Sequence, residues 1–378
     1  MSTNDFASLK LFITGPTMLR PEVRQAGTLP EFGHRDLEND KRLQPAMHWL
    51  AELADAGDEY TPVLFLGSGS TGMEASIRSL VAGDETVLNV SVGAFGDLFH
   101  NMAVANEKRA KQLKFECGRA VDLDSLEQAL KEHRPGVVTF THNETSTGVI
   151  NDIHAISELV RRYGAMPVVD GVSIFGGTAL GLKGSGIAMY CSATQKSLGL
   201  PAGFGIGFVH AEAEEKARRV KGKGHGTDIL KHLERARRFQ TLSTPNTTLA
   251  NQLYVQLKYI FEEEGVQNRF ARHLAMRGMA EEWVAGLEGY ELFAQEGHRS
   301  PALTTVRVPK GVTVQRLKDV KEAMRARGYL FDPGYGKLNT QLEQAGQRPI
   351  FRIGHMGDIM PDMLQAFLKD LGEVLGNL

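Results

Sequence analysis

The sequence predicts an α/β protein, with a mostly parallel sheet covered by helices and a smaller α+β domain after it. Short apolar runs alternate with segments of helical period through most of the chain, which is typical of strands that alternate with helices. The rhythm changes after about residue 250, where long helical stretches precede short strands mixed with helices. The 378 residues, 42% of them hydrophobic, suffice for one large core and one smaller core.

The large domain is expected over residues 15–255. Its buried strands are predicted from four apolar runs, at residues 63–66, 87–90, 137–140 and 167–169. Amphipathic helices are predicted at 126–132 and 153–162. This order of strands and helices indicates parallel strands joined by helical crossovers.

The smaller domain is expected over residues 256–378. Its predicted elements, in order, are helices at 249–264 and 266–287, strands at 302–308 and 349–354, and a final helix at 361–375. The N-terminal arm, residues 1–14, is expected to pack on the small domain or on a partner subunit.

Charge and cysteine content exclude several classes of protein. The net charge of -2 argues against a nucleic-acid binder. Cys117 and Cys191 lack metal-ligand spacing, so neither a metal site nor a disulfide framework is expected. So few cysteines are typical of a protein in a reducing compartment. The first ten residues have no apolar leader core, and no apolar run reaches the roughly 18 residues of a membrane span. We therefore expect a cytoplasmic protein without membrane or nucleic-acid partners.

Lys196 stands in the segment CSATQKS, residues 191–197, just after an apolar run. A lysine that bonds the aldehyde of pyridoxal phosphate needs a fixed place at a strand end, with small hydroxyl-bearing neighbours. Upstream, Asp170 ends the predicted strand MPVVD. That cofactor also requires a carboxylate beside its pyridinium nitrogen. The alternatives are a surface lysine and an aspartate that caps the next turn.

A glycine loop, GSGSTG at residues 67–72, follows a predicted strand and opens a helix, which formally satisfies a dinucleotide-binding pattern. A dinucleotide enzyme usually carries Asp or Glu at the end of the next strand, where this chain has Asn89 and Ser91. The loop therefore predicts a phosphate site made by backbone N–H groups, helped by the hydroxyls of Ser70 and Thr71.

Further motifs stand in order along the chain: FITGPT at 12–17, GHR at 33–35, THNETSTG at 141–148 and FRIGHMGD at 351–358. Together with the glycine loop and the lysine segment, they resemble the class V aminotransferases of fold type I, the group that includes phosphoserine aminotransferase and the alanine or serine:glyoxylate aminotransferases. The resemblance covers nearly the whole chain. It implies a seven-stranded type of sheet, pyridoxal 5'-phosphate as cofactor, and Lys196 and Asp170 as catalytic residues.

The resemblance also implies which residues contact the cofactor phosphate. Gly69, Ser70 and Thr71 fall in the phosphate loop, and Gln195 matches a second phosphate contact. Thr244 matches the position from which a neighbouring subunit reaches the same phosphate. A homodimer with shared active sites is therefore expected.

Three more residues match the family around the cofactor ring and the substrate. Phe95 falls where relatives place an aromatic residue on the ring, Thr145 matches a hydrogen bond to the ring hydroxyl, and Arg352 matches the arginine that binds the substrate carboxylate. A guanidinium suits that task because it holds a carboxylate bidentately. The alternatives are a core phenylalanine, a turn threonine and a partly exposed strand arginine.

The substrate depends on the other end of the site. His34 and Arg35 resemble a pair that phosphoserine aminotransferases place near the distal phosphate, and the basic loop 216–226, otherwise a mobile surface loop, is a further source of positive charge. We therefore expect transfer between phosphoserine and 2-oxoglutarate first, in serine biosynthesis. Transfer from alanine or serine to glyoxylate or pyruvate stays open.

Two other activities fit less well. Cysteine desulfuration on this fold requires a nucleophilic cysteine on a mobile loop near the small domain, where neither Cys117 nor Cys191 falls. A cofactor-binding regulator would carry a DNA-binding extension, and no such extension is recognisable. The expected reaction is therefore transamination, with the Lys196 amine as general base and acid.

Overall fold

The computed structural model describes residues 8–376. The strands are β1 Lys10–Phe12, β2 Tyr60–Gly67, β3 Thr86–Ser91, β4 Arg109–Lys114, β5 Val137–Thr141, β6 Asn143–Glu144, β7 Val149–Ile150, β8 Met166–Asp170, β9 Met189–Ala193, β10 Gly203–His210, β11 Glu291–Leu292, β12 Leu303–Arg307, β13 Tyr329–Phe331 and β14 Ile350–Gly354. The helices are α1 Pro21–Ala26, α2 Leu37–Leu53, α3 Gly69–Leu80, α4 Ala94–Ala105, α5 Leu123–His133, α6 Ile153–Arg162, α7 Ala211–Arg219, α8 Ile229–Ala236, α9 Thr247–Tyr259, α10 Val266–Ala285, α11 Val314–Ala326, α12 Gly336–Gln344 and α13 Pro361–Gly376.

The predicted α/β fold is confirmed by a seven-stranded sheet in the order β2-β10-β9-β8-β5-β3-β4. Only β10 runs antiparallel to its neighbours, β2 and β9. Every residue of β5 and β9 is buried, as expected for strands covered by helices on both faces. The sheet is therefore mostly parallel, and its parallel strands end at one common edge.

Several predicted helices have clear local causes. The bounds of α6 match the prediction, because the Asp152 side chain accepts from the amides of His154 and Ala155 and so fixes the start. The helix α5 begins before the predicted segment, where Asp122 accepts from the Ser125 amide. Capping side chains thus set both starting points.

Two helical predictions differ from the structure. The predicted helix 249–264 is divided, because α9 ends at Tyr259 and a π-helical turn, Ile260–Glu264, leads to Gly265. The backbone of Gly265 has a φ of 79°, which stops the helix before α10. In the basic loop 216–226, residues 216–219 form the last turn of α7, so the expectation of a loop is wrong for them.

The last third of the chain forms a three-stranded sheet, β11-β12-β14, with its own apolar core against α10, α11 and α13. The strand β1 pairs in parallel with β13, so residues 10–12 join this part of the molecule. Residues 1–7 of the predicted arm lie outside the described residues. The boundary between residues 255 and 256 stays a prediction. Within residues 8–376, no helix has the length and apolarity to span a membrane.

Candidate active site

The carboxyl ends of the parallel strands gather most of the predicted site residues at one edge of the sheet. Residues 69–71 follow β2, Phe95 follows β3, and Thr145 follows β5. Asp170 is the last residue of β8, and Lys196 comes three residues after β9. Ligands of open α/β sheets bind at this edge, because the strand-to-helix turns meet there.

The Lys196 amine is enclosed by the N-terminal segment. Its Nζ donates to the Thr14 carbonyl oxygen at 2.5 Å. Gly15 lies so close that a Cβ on it would come 2.6 Å from the Lys196 Cδ. Burial, and then the charge of Arg352, lower the pKa of Lys196 to about 8, against opposing effects of Asp170 and Asp332. A substantial fraction of the amine is therefore neutral near physiological pH.

Asp170 is a buried carboxylate, and among the described residues its one close side-chain contact is the Val172 amide, at 3.0 Å from Oδ1. Burial raises the pKa of Asp170 to about 7, although the Val172 amide and the Lys196 charge oppose this. Behind it, His142 Nδ1 lies 2.9 Å from the Tyr190 hydroxyl, and burial lowers the pKa of His142 to about 3. A cationic group beside Asp170 would stabilise its charged form.

The glycine loop begins α3, where its hydroxyls bond within the loop. Ser68 Oγ lies 2.7 Å from Ser70 Oγ, and the Thr71 hydroxyl accepts from the Ser68 amide at 3.3 Å. A Cβ on Gly69 would clash with the Val172 side chain, so glycine is needed where the loop approaches the Asp170 turn. The Thr71 amide donates to the Ser68 carbonyl at 3.0 Å, so among the described residues the Gly69 and Ser70 amides are the ones without a helical bond that suit a phosphate.

Glu144 fixes the start of α4, on which Phe95 lies. Its buried carboxylate accepts from the amides of Phe95 at 3.0 Å and Gly96 at 3.1 Å, and from the Ser146 hydroxyl at 2.6 Å. A Cβ on Gly93 would lie 2.6 Å from the Glu144 Cγ. Glu144 therefore holds the Phe95 turn at the same sheet edge as Asp170.

Arg352, on β14, reaches the same site from the C-terminal part of the chain. Its Nη1 donates to the Thr145 carbonyl at 2.9 Å, and its Nη2 lies 3.0 Å from Asp332 Oδ2. Asp332 also accepts from the Thr14 hydroxyl at 3.2 Å. Arg352 Nε is buried and has no hydrogen-bond partner among the described residues. A buried donor without a partner is costly, so this one suits a ligand acceptor.

Tyr335 lies beside both Arg352 and Phe95. The guanidinium carbon of Arg352 is 5.8 Å from the Tyr335 ring centre, and the rings of Phe95 and Tyr335 are 6.3 Å apart. The two rings border a cavity of about 130 Å³, with Lys114 and Lys337 also in its lining. Lys114 pairs with Asp97 at 2.7 Å.

The remaining predicted residues lie together on another part of the surface. Thr244 Oγ1 is 3.5 Å from His34 Nε2. Arg35 donates to the Gln240 side chain at 2.8 Å and to the Thr241 carbonyl at 3.0 Å. Within this chain, Arg35 is thus engaged in tying the start of α2 to the segment before α9.

The side chains at the sheet edge fit pyridoxal phosphate. Asp170 offers a carboxylate for a ring cation, residues 69 and 70 offer amides for a phosphate, and Phe95 offers a flat apolar face. Gln195 Oε1 is buried without a partner among the described residues, so this amide oxygen could accept from a donor of the ligand. In the part of the chain that the structure describes, no cluster of three or more His, Cys, Asp or Glu could hold a metal.

Comparison with known proteins decides the family. The profile of the family described as "Aminotransferase class-V" matches residues 32–328, which is most of the chain. This chain belongs to the class V aminotransferases. It is therefore a pyridoxal phosphate-dependent transaminase, as predicted.

Curated relatives match this class V aminotransferase over nearly its whole length. An uncharacterised aminotransferase of Methanocaldococcus jannaschii is 34% identical, covering 96% of this chain and 93% of the relative. A 2-aminoethylphosphonate–pyruvate transaminase of Pseudomonas putida is 28% identical, over 97% and 96%. An L-aspartate–glyoxylate aminotransferase of Paracoccus denitrificans is 27% identical, over 97% and 91%.

Solved structures confirm fold type I for this aminotransferase. Alanine–glyoxylate aminotransferase from Nostoc superposes with a TM-score of 0.89 at 25% identity, covering 99% of this chain and 97% of that one. Pyridoxamine–pyruvate aminotransferase from Mesorhizobium loti gives 0.88 at 26% identity, over 100% and 94%. A phosphoserine aminotransferase of Cytophaga hutchinsonii gives 0.82 at 19% identity, over 97% and 99%, which is a likeness of fold alone.

Four residues of this aminotransferase's site were missing from the sequence prediction. Glu144 stands inside the THNETSTG motif, where a carboxylate among small polar residues could have indicated a residue of the site. Thr14, in FITGPT, contributes a backbone carbonyl, which no side-chain pattern indicates. Asp332 and Tyr335 lie in a segment that has no motif typical of a catalytic or binding site. The fold brings them to Arg352.

Proposed function

We propose that this enzyme transfers an amino group from a small L-amino acid, alanine or serine, to a small 2-oxo acid, glyoxylate or pyruvate. The observation that carries the proposal is the contrast between two arginines. Arg352 is buried near Lys196 with a free Nε donor, which suits one carboxylate. Arg35 donates from both Nη atoms to three acceptors of its own chain, which commits most of its guanidinium to the segment before α9 and not to a distal phosphate.

The comparisons support the same substrate class. The named relatives at 25% identity or more include aminotransferases whose names give pyruvate or glyoxylate as the partner. The phosphoserine enzymes lie at 19% and 16% identity. The basic loop is also engaged locally, since Lys223 donates to the Val220 carbonyl at 2.9 Å. The alternative prediction is therefore better supported than phosphoserine.

We assign the residues of the site as follows. Arg352 binds the α-carboxylate of the amino donor, and this orients the donor's α-carbon toward Lys196. The Lys196 amine removes the α-proton and later returns a proton, for which a pKa near 8 is suited. Pyridoxal phosphate, held by Asp170, Gln195 and the 69–71 loop, supplies the electron sink for that proton transfer when bound. Phe95 would pack on the cofactor ring and Thr145 would bond the ring hydroxyl.

Steady-state kinetics with matched substrate pairs test this proposal. Alanine, serine and phosphoserine are compared as donors, and glyoxylate, pyruvate and 2-oxoglutarate as acceptors. We expect kcat/KM at least tenfold higher for alanine or serine with glyoxylate or pyruvate than for phosphoserine with 2-oxoglutarate. The reverse order would reject the proposal in favour of phosphoserine. The variant Arg352→Lys should raise KM for every donor, because a lysine cannot bind bidentately.

We further propose that the enzyme is a homodimer in which Thr244 contacts the partner's cofactor phosphate. In support, Thr244 is exposed, and Leu37, two residues from Arg35, has 74% of its surface exposed. Light scattering measures the molecular mass. Mixing inactive Lys196→Ala subunits with weakened Thr244→Val subunits tests whether sites are shared, because a mixed dimer would contain one site with an intact Lys196 and the partner's intact Thr244 and should regain activity. A monomeric active enzyme would refute the dimer. The cytoplasmic location remains a prediction from the cysteine content.

A further inference from the structure

We infer that Asp332 determines specificity, making the site select substrates with one negative charge over substrates with two. This rests on the proposed function and names its substrate class more narrowly. Among the carboxylates near Lys196, Asp332 is the one paired with the substrate arginine: the Asp332 and Arg352 side chains are only 7% and 10% exposed, and their charged atoms lie 3.0 Å apart.

The contacts of Asp332 fix it in place. Both carboxylate oxygens lie within 3.2 Å of Arg352 Nη2, Oδ2 accepts from the Thr14 hydroxyl at 3.2 Å, and Oδ1 accepts from the Gly334 amide at 3.0 Å. A carboxylate with this many donors is held in one orientation. It cannot swing away when a substrate arrives without losing these bonds.

The arrangement leaves Arg352 one way to take a substrate carboxylate. Nη1 is occupied by the Thr145 carbonyl and Nη2 is shared with Asp332, while Nε is buried and unpartnered. One α-carboxylate can accept from Nε and from the second hydrogen of Nη2. The first carboxylate of a substrate thus gains direct charge-assisted hydrogen bonds despite Asp332.

A second negative group on the substrate gains no such bonds at Arg352. At longer range the positive charge of Arg352 is offset by the paired charge of Asp332. The cations of the neighbouring cavity offer little compensation, because Lys114 is paired with Asp97 and Lys337 is exposed to solvent. Specificity against a competitor often needs a repulsive element of this kind.

The test compares acceptors in wild type and Asp332→Asn, with alanine as donor. Wild type should have a kcat/KM at least tenfold higher for glyoxylate or pyruvate than for 2-oxoglutarate. Asp332→Asn, which keeps the shape and can still accept from the Gly334 amide, should reduce this preference about tenfold, mainly by lowering KM for 2-oxoglutarate. The control is Asp122→Asn, which removes one charge at an exposed helix start and should leave the preference unchanged.

Calorimetric titration of the same proteins with two non-reacting acids, propionate and glutarate, gives a readout independent of turnover. Asp332→Asn should lower the Kd for glutarate by about tenfold more than the Kd for propionate. An equal change for both acids and both acceptors would overturn the inference and leave Asp332 as a residue that positions Arg352. If melting curves show that Asp332→Asn is unfolded, Asp332→Ser takes its place.

The two failures are distinguishable. A wild-type enzyme that prefers 2-oxoglutarate overturns the proposed function and the inference together. A wild-type enzyme that prefers glyoxylate or pyruvate, with the same preference in folded Asp332→Asn, overturns the inference alone. This wild-type measurement tests the proposal even if neither variant folds.

Discussion

Gly15 limits the space around the Lys196 amine. A Cβ at Gly15 would overlap the lysine side chain, lying 2.8 Å from Cε, and the backbone has a φ of 114° that other residues rarely adopt. The preceding carbonyl, that of Thr14, is the acceptor for Nζ. The position of the amine therefore depends on Gly15, which is far from Lys196 in the sequence.

Gly15→Ala is expected to displace Lys196. The added methyl should reduce incorporation of pyridoxal phosphate at least tenfold, measured by visible absorbance and by labelling of Lys196 after borohydride reduction. Gly311→Ala is the matched control, since Gly311 has a φ of 90° but nothing within 4 Å of a Cβ. Equal losses in both variants would mean that backbone strain, not contact with Lys196, is the cause.

Asp170 makes the stability of the cofactor-free protein depend on pH. Burial raises its pKa from 3.8 to about 7. Between these values the folded state keeps a proton that the unfolded state has lost, so stability falls as pH rises, and the full penalty, on the order of 4 kcal/mol, is present above pH 7. Below 3.8 both states are protonated and the penalty vanishes.

Asp170→Asn should therefore stabilise the cofactor-free protein more at high pH than at low pH. Its advantage over wild type should grow by roughly 2 to 3 kcal/mol between pH 5 and pH 8, measured by urea unfolding. The same variant should lose most transamination, because the ring nitrogen loses its counter-charge. An advantage that does not change with pH would show that Asp170 is ionised in the folded state throughout.

The placement of single side chains at the sheet edge was predictable from the sequence, and contacts between distant segments were not. Lys196, Asp170 and Arg352 carry functional groups at strand ends or in strands, where the sequence pattern and the chemistry agree. Thr14 and Asp332 matter because they bond to each other across 318 residues of sequence. No local pattern encodes such a pairing, since it depends on the closure of the whole fold.

At the scale of elements, Arg269 on α10 links the turn after Lys196 to the C-terminal part of the chain. Its buried guanidinium donates to the carbonyls of Ser197 at 2.7 Å and Gly176 at 3.0 Å, and to the carboxylates of Glu264 at 2.7 Å and Asp358 at 2.9 Å. Four acceptors satisfy one buried cation, so the lysine turn is held rigidly.

Arg269→Met should leave the buried Asp358 carboxylate without its ion pair and free the Ser197 turn, while Glu264 keeps its pair with Arg272. We expect a loss of about 3 to 5 kcal/mol in the free energy of unfolding, and a fall in kcat larger than the rise in KM, because Lys196 loses its fixed position. Arg327→Met is the control, since Arg327 forms more exposed ion pairs with Asp370 and Glu373 and its loss should change the free energy of unfolding far less. A full kcat in folded Arg269→Met would show that the turn needs no such support.

The same elements show what periodicity can predict. The helix α6 was predicted at its observed bounds because a capping aspartate and a regular apolar face coincide. The division of the predicted helix 249–264 was missed because helical hydrophobicity continues through Ile260, and the change to a π-helical turn before Gly265 has no period of its own in the sequence.

At the scale of the whole molecule, the N-terminal segment closes the site. The strand β1 pairs with β13, and a Cβ on Gly354 would lie 2.5 Å from the Ile13 carbonyl carbon, so the chain passes tightly over β14 before it reaches Lys196. The order of strands and helices predicted the sheet and the later α+β part. It did not predict this closure, because the three residues of β1 are too few to show the alternation of apolar and polar residues that indicates a strand.

Phe12→Ala tests whether this closure matters for catalysis. Phe12 is fully buried and stacks on Phe367 with ring centres 4.0 Å apart, so its truncation should cost about 3 to 5 kcal/mol of stability. Because Thr14 and Gly15 follow directly, kcat should fall at least tenfold even well below the melting temperature. Leu317→Ala, a truncation in the same apolar core, should lower the melting temperature but keep kcat. If both variants keep kcat when folded, the N-terminal segment stabilises the molecule without positioning Lys196.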